Sequence, residues 1–224
     1  MKRLTLVFVA IVLMLGLARC EDFSRFLVDI TEPTGVADVQ TTMATVNSIL
    51  QETGNADFIF KVAGEPRVLA ILNMSNLCDM RSLEKKLLAA KLDITVKPLY
   101  LGGKLAADLG VNKTLIESAK APVNLTGERI YFWDASFIME GLTSEEYKEE
   151  IRDNLEASLK YRLKNHQGLM YRVLGEFPIH MMYFAAVEPK EAELVIWHFN
   201  RRKLILTAKV AMVENLVDYL NNCQ

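Results

Sequence analysis

The stretch Phe60-Lys61-Val62-Ala63-Gly64-Glu65-Pro66 is echoed by Tyr171-Arg172-Val173-Leu174-Gly175-Glu176-Phe177-Pro178. In each copy a strand-like run stops at a Gly-Glu turn and resumes behind a proline, and the two glycines lie 111 residues apart. A supersecondary signal repeated at that distance predicts two similar halves on one chain.

Hydrophobic periodicity supplies the element order of each half. Arg25 to Ile30 reads as a strand, and Val39, Met43, Val46 and Leu50 recur at helical spacing before a stop at Gly54. Phe58 to Val62 and Val68 to Leu72 form a hairpin around Gly64-Glu65-Pro66-Arg67. A second helix carries Met80, Leu83 and Leu87, and Leu92 to Leu99 alternates as a closing strand. The second half repeats the order. It has a strand at Ile130 to Met139, a capping box at Thr143-Ser144-Glu145-Glu146 opening a long helix, and strands at Leu169 to Leu174 and Ile179 to Val187. A helix at Pro189 to Phe199 and a strand at Leu204 to Val210 follow, then an unmatched helix over Val213 to Asn221. Each half is therefore expected to be βαββαβ, a ferredoxin-like sandwich with helices on one face and an apolar sheet on the other. Two copies can bury those apolar faces on each other, sheet to sheet, as a dimeric α/β barrel made within one chain.

The boundaries expected are 1–20 for a signal peptide, 21–101 for the first module, 102–129 for a linker and 130–224 for the second module with its extra helix. Met1-Lys2-Arg3, the apolar run Leu4 to Leu17 and Ala18-Arg19-Cys20 fit a secretory signal, and the run is short of a bilayer span. Its removal leaves 23 basic against 28 acidic side chains. Nucleic acid and anionic membranes, which select clustered positive charge, are poor partners for such a chain.

Sequons at Asn73, Asn112 and Asn124 behind that signal predict a secreted glycoprotein. Two cysteines remain, Cys78 and Cys223. A disulfide between them would tie the C-terminus to the first half, and two separate thiols satisfy the sequence equally.

Leu169-Met170-Tyr171-Arg172-Val173-Leu174-Gly175-Glu176, placed after a charged helix, resembles the region of muconolactone isomerase where a helix leads into a leucine-x-arginine-valine-x-glycine strand. Asp93-Ile94-Thr95-Val96-Lys97-Pro98-Leu99 is similar to that family's aspartate-x-x-valine-x-proline-leucine strand. The resemblance implies a tandem member of the dimeric α/β-barrel group, which includes isomerases, monooxygenases, cyclases, haem enzymes and proteins without activity. Fold alone does not carry function within such a group.

Glu65 and Glu176 occupy equivalent turns and are candidate acids or bases; solvated turn glutamates fit as well. Arg172 and His180 lie on adjacent strands and would hold a carboxylate and shuttle a proton if they faced one pocket. His180 shares its strand face with Met182 and Phe184, company that equally suits a core histidine. His166 and His198 fall at no two-ligand metal spacing, so no metal and no cofactor are expected. The expected function is a secreted binding protein for a small apolar or carboxylic ligand, or a lapsed isomerase. A structural brick of an extracellular matrix, or retained proton-transfer chemistry, are the other readings.

Overall fold

The computed structural model describes residues 25–33, 38–118, 123, 125, 129–163, 167–200 and 205–222; the expected signal peptide lies outside them. The first half runs β1 (Arg25–Thr31), α1 (Val39–Thr53), β2 (Ala56–Val62), β3 (Arg67–Asn73), α2 (Leu77–Ala89) and β4 (Asp93–Leu101). Two short helices follow, α3 (Gly102–Asp108) and α4 (Lys113–Ser118). The second half runs β5 (Ile130–Ile138), α5 (Ser144–Leu163), β6 (Gln167–Val173), β7 (Ile179–Ala186), α6 (Pro189–Asn200), β8 (Ile205–Asn215) and α7 (Leu216–Asn222).

Local chemistry sets the helix ends. The Asp38 carboxylate accepts from the backbone amides of Gln40 and Thr41 at the start of α1, and Gly54 ends that helix in the left-handed region. The capping box of α5 forms as read. Thr143 N donates to Glu146 Oε2 at 2.8 Å, and Glu146 N donates to Thr143 Oγ1 at 3.3 Å. The two echoed turns are conformational equals as well, since Gly64 and Gly175 have φ of 75° and 79°, a region closed to most side chains.

The sheet arrangement corrects the expectation of two ferredoxin-like modules packed sheet to sheet. All eight strands join edge to edge in one closed antiparallel barrel, in the order β1-β3-β2-β8-β5-β7-β6-β4. Two seams of backbone hydrogen bonds close it. Phe60, Lys61 and Val62 of β2 pair with Asn215, Glu214 and Val213 of β8, and Leu99, Tyr100 and Leu101 of β4 pair with Val173, Arg172 and Tyr171 of β6. The physical reason is that every isolated sheet has unpaired edge amides, and sealing each half to the other satisfies them. This closure also explains why Val213, expected to open a helix, lies in a strand. It sits fully buried between Val62 and Ile130, and α7 starts only at Leu216.

Alternation divides the side chains into three cores. Leu27, Phe60, Leu69, Ile71, Tyr171, Met182 and Phe184 fill the barrel. The outer face of the first half carries Val28, Ile30, Val68 and Ala70 against Met43, Val46, Met80 and Leu83 of α1 and α2. The outer face of the second half carries Trp133, Ala135, Met181 and Tyr183 against α3 to α6. The segment expected as a linker therefore contributes to a core, through buried Leu105, Ala106, Val111 and Leu115.

Gly102 shows how closely that segment docks. A methyl group on it would sit 2.9 Å from the Met170 carbonyl oxygen and 2.5 Å from the end of the Met170 side chain. Gly102→Val is expected to destabilise the protein by about 2–3 kcal/mol through overpacking against β6. Denaturant melting measures this, and an unchanged midpoint would mean that α3 does not rest on β6.

Candidate functional site

Strand alternation brings two of the expected site residues together and separates a third. His180 points into the barrel with Met182, whereas Arg172 pairs with Met181 and shares its outward face. They face no common pocket. Glu176, on the β6–β7 turn, reaches back to His180 Nδ1, and Asp134 of β5 meets Nε2 of the same ring. Lys97 of β4 completes the row, its Nζ 3.0 Å from Glu176 Oε1.

The electrostatics follow from this geometry. His180 is only 6 % exposed. Its hydrogen bond to Asp134 is the largest influence and raises its pKa; burial opposes, and Glu176 adds to the rise. Asp134 is held below the ordinary carboxylate range, chiefly by its hydrogen bond to His180. For Glu176 burial is the largest single influence and pushes upward, but the hydrogen bonds to Lys97 and His180 together outweigh it and the net shift is downward. A carboxylate on each ring nitrogen favours the imidazolium, which donates to both. The row ties β4, β5 and β7 together as a charge clasp.

The other half carries a counterpart. Arg67 of β3 donates through Nε and Nη2 to the two oxygens of Asp29, at 2.9 and 2.7 Å, and its Nη1 lies 3.6 Å from Glu65 Oε2. Glu65–Arg67–Asp29 thus matches Glu176–His180–Asp134, each a cation held between a turn glutamate and an aspartate of its half's first strand. One cation is permanent and the other titrates. Asp29, Arg67, Lys97 and Asp134 carried no signal in the sequence that singled them out, because their partnership depends on cross-strand register.

A second feature lies on the outside of the barrel. A cavity of about 1230 Å³ lies between the outer face of β5, β7 and β6 and the helices α3 to α6, and it continues round the end of the barrel to Arg25 and Phe58 and to the interior residues Leu169, Tyr171 and Phe184. It is above the roughly 300–1,000 Å³ of ordinary ligand sites. Small residues make the room, since Gly168 of β6 lies opposite Ala185 of β7 and faces Ala157 of α5 and Ala107 of α3 across the space. The floor is Trp133, Tyr183 and Met170, which stand in one cross-strand row. Burial raises the pKa of Tyr183 and pushes that of Tyr161 up to about 12, so both stay phenols. At the rim Arg25 is paired with Asp57 and Lys160 with Glu156, at 3.0 and 2.6 Å, and Lys104, Lys113 and Arg162 stand with Glu117 and Glu191.

Other expected sites divide. Asn73 and Asn112 are exposed, and Asn124 lies outside the described residues. Cys78 is an exposed free thiol, and Cys223 lies outside the described residues, as do His166 and the side chain of His198. Among the described residues no group of three or more His, Cys, Asp or Glu could hold a metal ion, and no helix is long and apolar enough to cross a membrane.

Solved structures share this architecture. A mutant chlorite dismutase from Candidatus Nitrospira defluvii superposes with a TM-score of 0.61 at 10% identity, over 89% of this chain and 95% of that one. That organism's enzyme in complex with imidazole gives 0.59 at 12% identity over 90% and 95%, and a mutant in complex with cyanide gives 0.58 at 11% over the same shares. The fold is chlorite dismutase-like. No sequence-family model matches the chain, and no curated protein sequence does.

This likeness overturns the resemblance to muconolactone isomerase and, with it, the readings as an isomerase-like binder, a lapsed isomerase or a matrix component. The quoted motifs were those of a helix leading into a strand and of a closing strand. Both describe how a barrel half is built, not what it binds.

Proposed function

We propose that this protein binds a large, flat, acidic ligand of the tetrapyrrole class in the cavity between the second half's strands and helices. The single observation that carries the reading is the cavity itself, of about 1230 Å³, apolar on its floor and basic at its rim. A tetrapyrrole dicarboxylate has the matching polarity, with a broad apolar plane and two carboxylates on one edge. Arg162 of α5 and Lys104 of α3 line the cavity, as does Lys160, which a ligand carboxylate would draw from its pair with Glu156, and Tyr183, Met170 and Ala185 supply a surface for the plane.

The donor set does not suit an iron-bearing ligand. Among the described lining residues there is no imidazole or thiolate, and the three phenols, Tyr161, Tyr171 and Tyr183, are held protonated by burial. These residues fit the ligand's periphery and not an iron, so binding, not chemistry at a metal, is the function assigned.

Titration of the purified chain with protoporphyrin IX and with haem, read by absorbance and by tryptophan fluorescence, tests this. One-to-one saturable binding in the micromolar range, about −8 kcal/mol, is expected. Gly168→Phe, which fills the space beside Ala185, is expected to weaken binding at least tenfold, about 1.4 kcal/mol, without lowering the melting temperature. Absence of saturable binding to the unaltered protein overturns the reading.

A further inference from the structure

Two of the chain's three sequons fall on described residues. Asn73 is the last residue of β3, and Asn112 immediately precedes α4. Both asparagines are exposed, as are Ser75 and Thr114, the hydroxyl residues two positions on. Met74, between Asn73 and Ser75, and Leu115, after Thr114, are buried. Each sequon is thus fixed to the body of the protein while its reacting members stay in water.

The acceptor nitrogens are available. Among the described residues neither Asn73 nor Asn112 uses its side-chain nitrogen in a hydrogen bond. Asn112 uses its oxygen instead. Oδ1 accepts from Thr114 N at 2.8 Å, an Asx turn that caps α4 and folds the carboxamide toward the residue carrying the hydroxyl. A group added to Nδ2 leaves that cap intact. Asn154, outside any sequon, is the contrast, since it is 3 % exposed and its Nδ2 donates to Glu150 O at 2.8 Å. A bulky hydrated group on such a nitrogen would displace packed core, so it is accommodated only at the surface.

We propose that Asn73 and Asn112 are N-glycosylation sites, filled as the chain enters the secretory route toward which the basic start and apolar run of residues 1–20 point. In the transfer, Nδ2 bonds to C1 of the first sugar of a lipid-pyrophosphate-linked oligosaccharide. The C1–O bond to the pyrophosphate breaks, its electron pair stays on the phosphate oxygen, and one amide proton is lost to the transferase. Glycosylation stands apart from ligand binding, since neither asparagine lines the cavity. The two glycans nevertheless border it, because Arg25, the register partner of Asn73, and Lys113, the residue after Asn112, both line it.

The test uses the full chain with its own N-terminus, expressed in a eukaryotic secretory cell line and recovered from the medium. Peptide-N-glycosidase in heavy-oxygen water converts each glycosylated asparagine to labelled aspartate, and mass spectrometry reads the positions separately. Label at both Asn73 and Asn112 is expected. Asn73→Gln is expected to abolish the label at that position alone. Thr114→Ala breaks the second sequon while keeping the Asn112 cap, and is expected to abolish the label at Asn112 and leave that at Asn73. A secreted chain unlabelled at either asparagine overturns that site, and a chain held in the cytosol without glycans overturns both. Neither result bears on tetrapyrrole binding, which is measured on the purified chain.

Discussion

Phe184→Ala is expected to destabilise the protein by about 3–5 kcal/mol, the largest effect of any single truncation considered. Phe184 is wholly buried inside the barrel and lies at the meeting point of the two halves. Its ring stacks on Phe132 of β5 at 4.8 Å and on Phe60 of β2 at 5.3 Å, so one side chain holds strands from both halves. A closed barrel cannot collapse around the missing ring without bending hydrogen-bonded strands, which places the cost toward the upper end for a cavity of this type. Chemical denaturation at fixed pH measures it. A loss below about 1 kcal/mol would mean that the interior is not packed around this ring.

The second large effect concerns the clasp. His180→Ala leaves the Asp134 and Glu176 carboxylates facing each other with Lys97 as their remaining neighbour, and a loss of about 2–3 kcal/mol near neutral pH is expected. The sign of the pH dependence follows from the directions of the shifts. The raised pKa of His180 contributes stability that is complete below the ordinary imidazole value of 6.5 and fades as pH rises through the folded value. The lowered Asp134 and Glu176 contribute stability that is complete above their ordinary values of 3.8 and 4.5 and fades as pH falls through the folded ones. The melting temperature is therefore expected to peak in the mildly acidic range. His180→Arg, which copies the Arg67 arrangement of the first half, is expected to abolish the alkaline decline. An unchanged alkaline limb in both variants would assign that decline to other groups.

Much of the chain's organisation was legible before any coordinates. The echo around Gly64 and Gly175, the helical spacing of Met43, Val46 and Leu50, and the Thr143–Glu146 box are short-range signals, and all three appear in the structure as the chemistry of those residues requires. The proximity of Glu176 and His180 was within reach for the same reason, since a turn glutamate and a residue four positions on fall side by side across a tight hairpin. Asp134, on a strand that pairs with β7 from far away in sequence, was not. Nor was the pairing of Arg172 with an outward face, which separates it from His180.

The cavity was the least visible feature. Gly168, Ala185, Ala157 and Trp133 are unremarked residues on four elements, and each reads alone as ordinary core. Only their convergence leaves space.

What the amino-acid order determined by itself is the sequence of elements, twice over, because helices, hairpins and caps arise from interactions between residues a few positions apart. Tertiary structure alone decided that the strands close into one ring, that two charge clasps sit inside it, and that a hollow remains under the second half's helices. Those outcomes rest on edge amides finding partners far away in sequence, as Leu99 finds Val173 and Val62 finds Val213, and on side chains of unequal size meeting across strands. Neither is encoded in any local pattern.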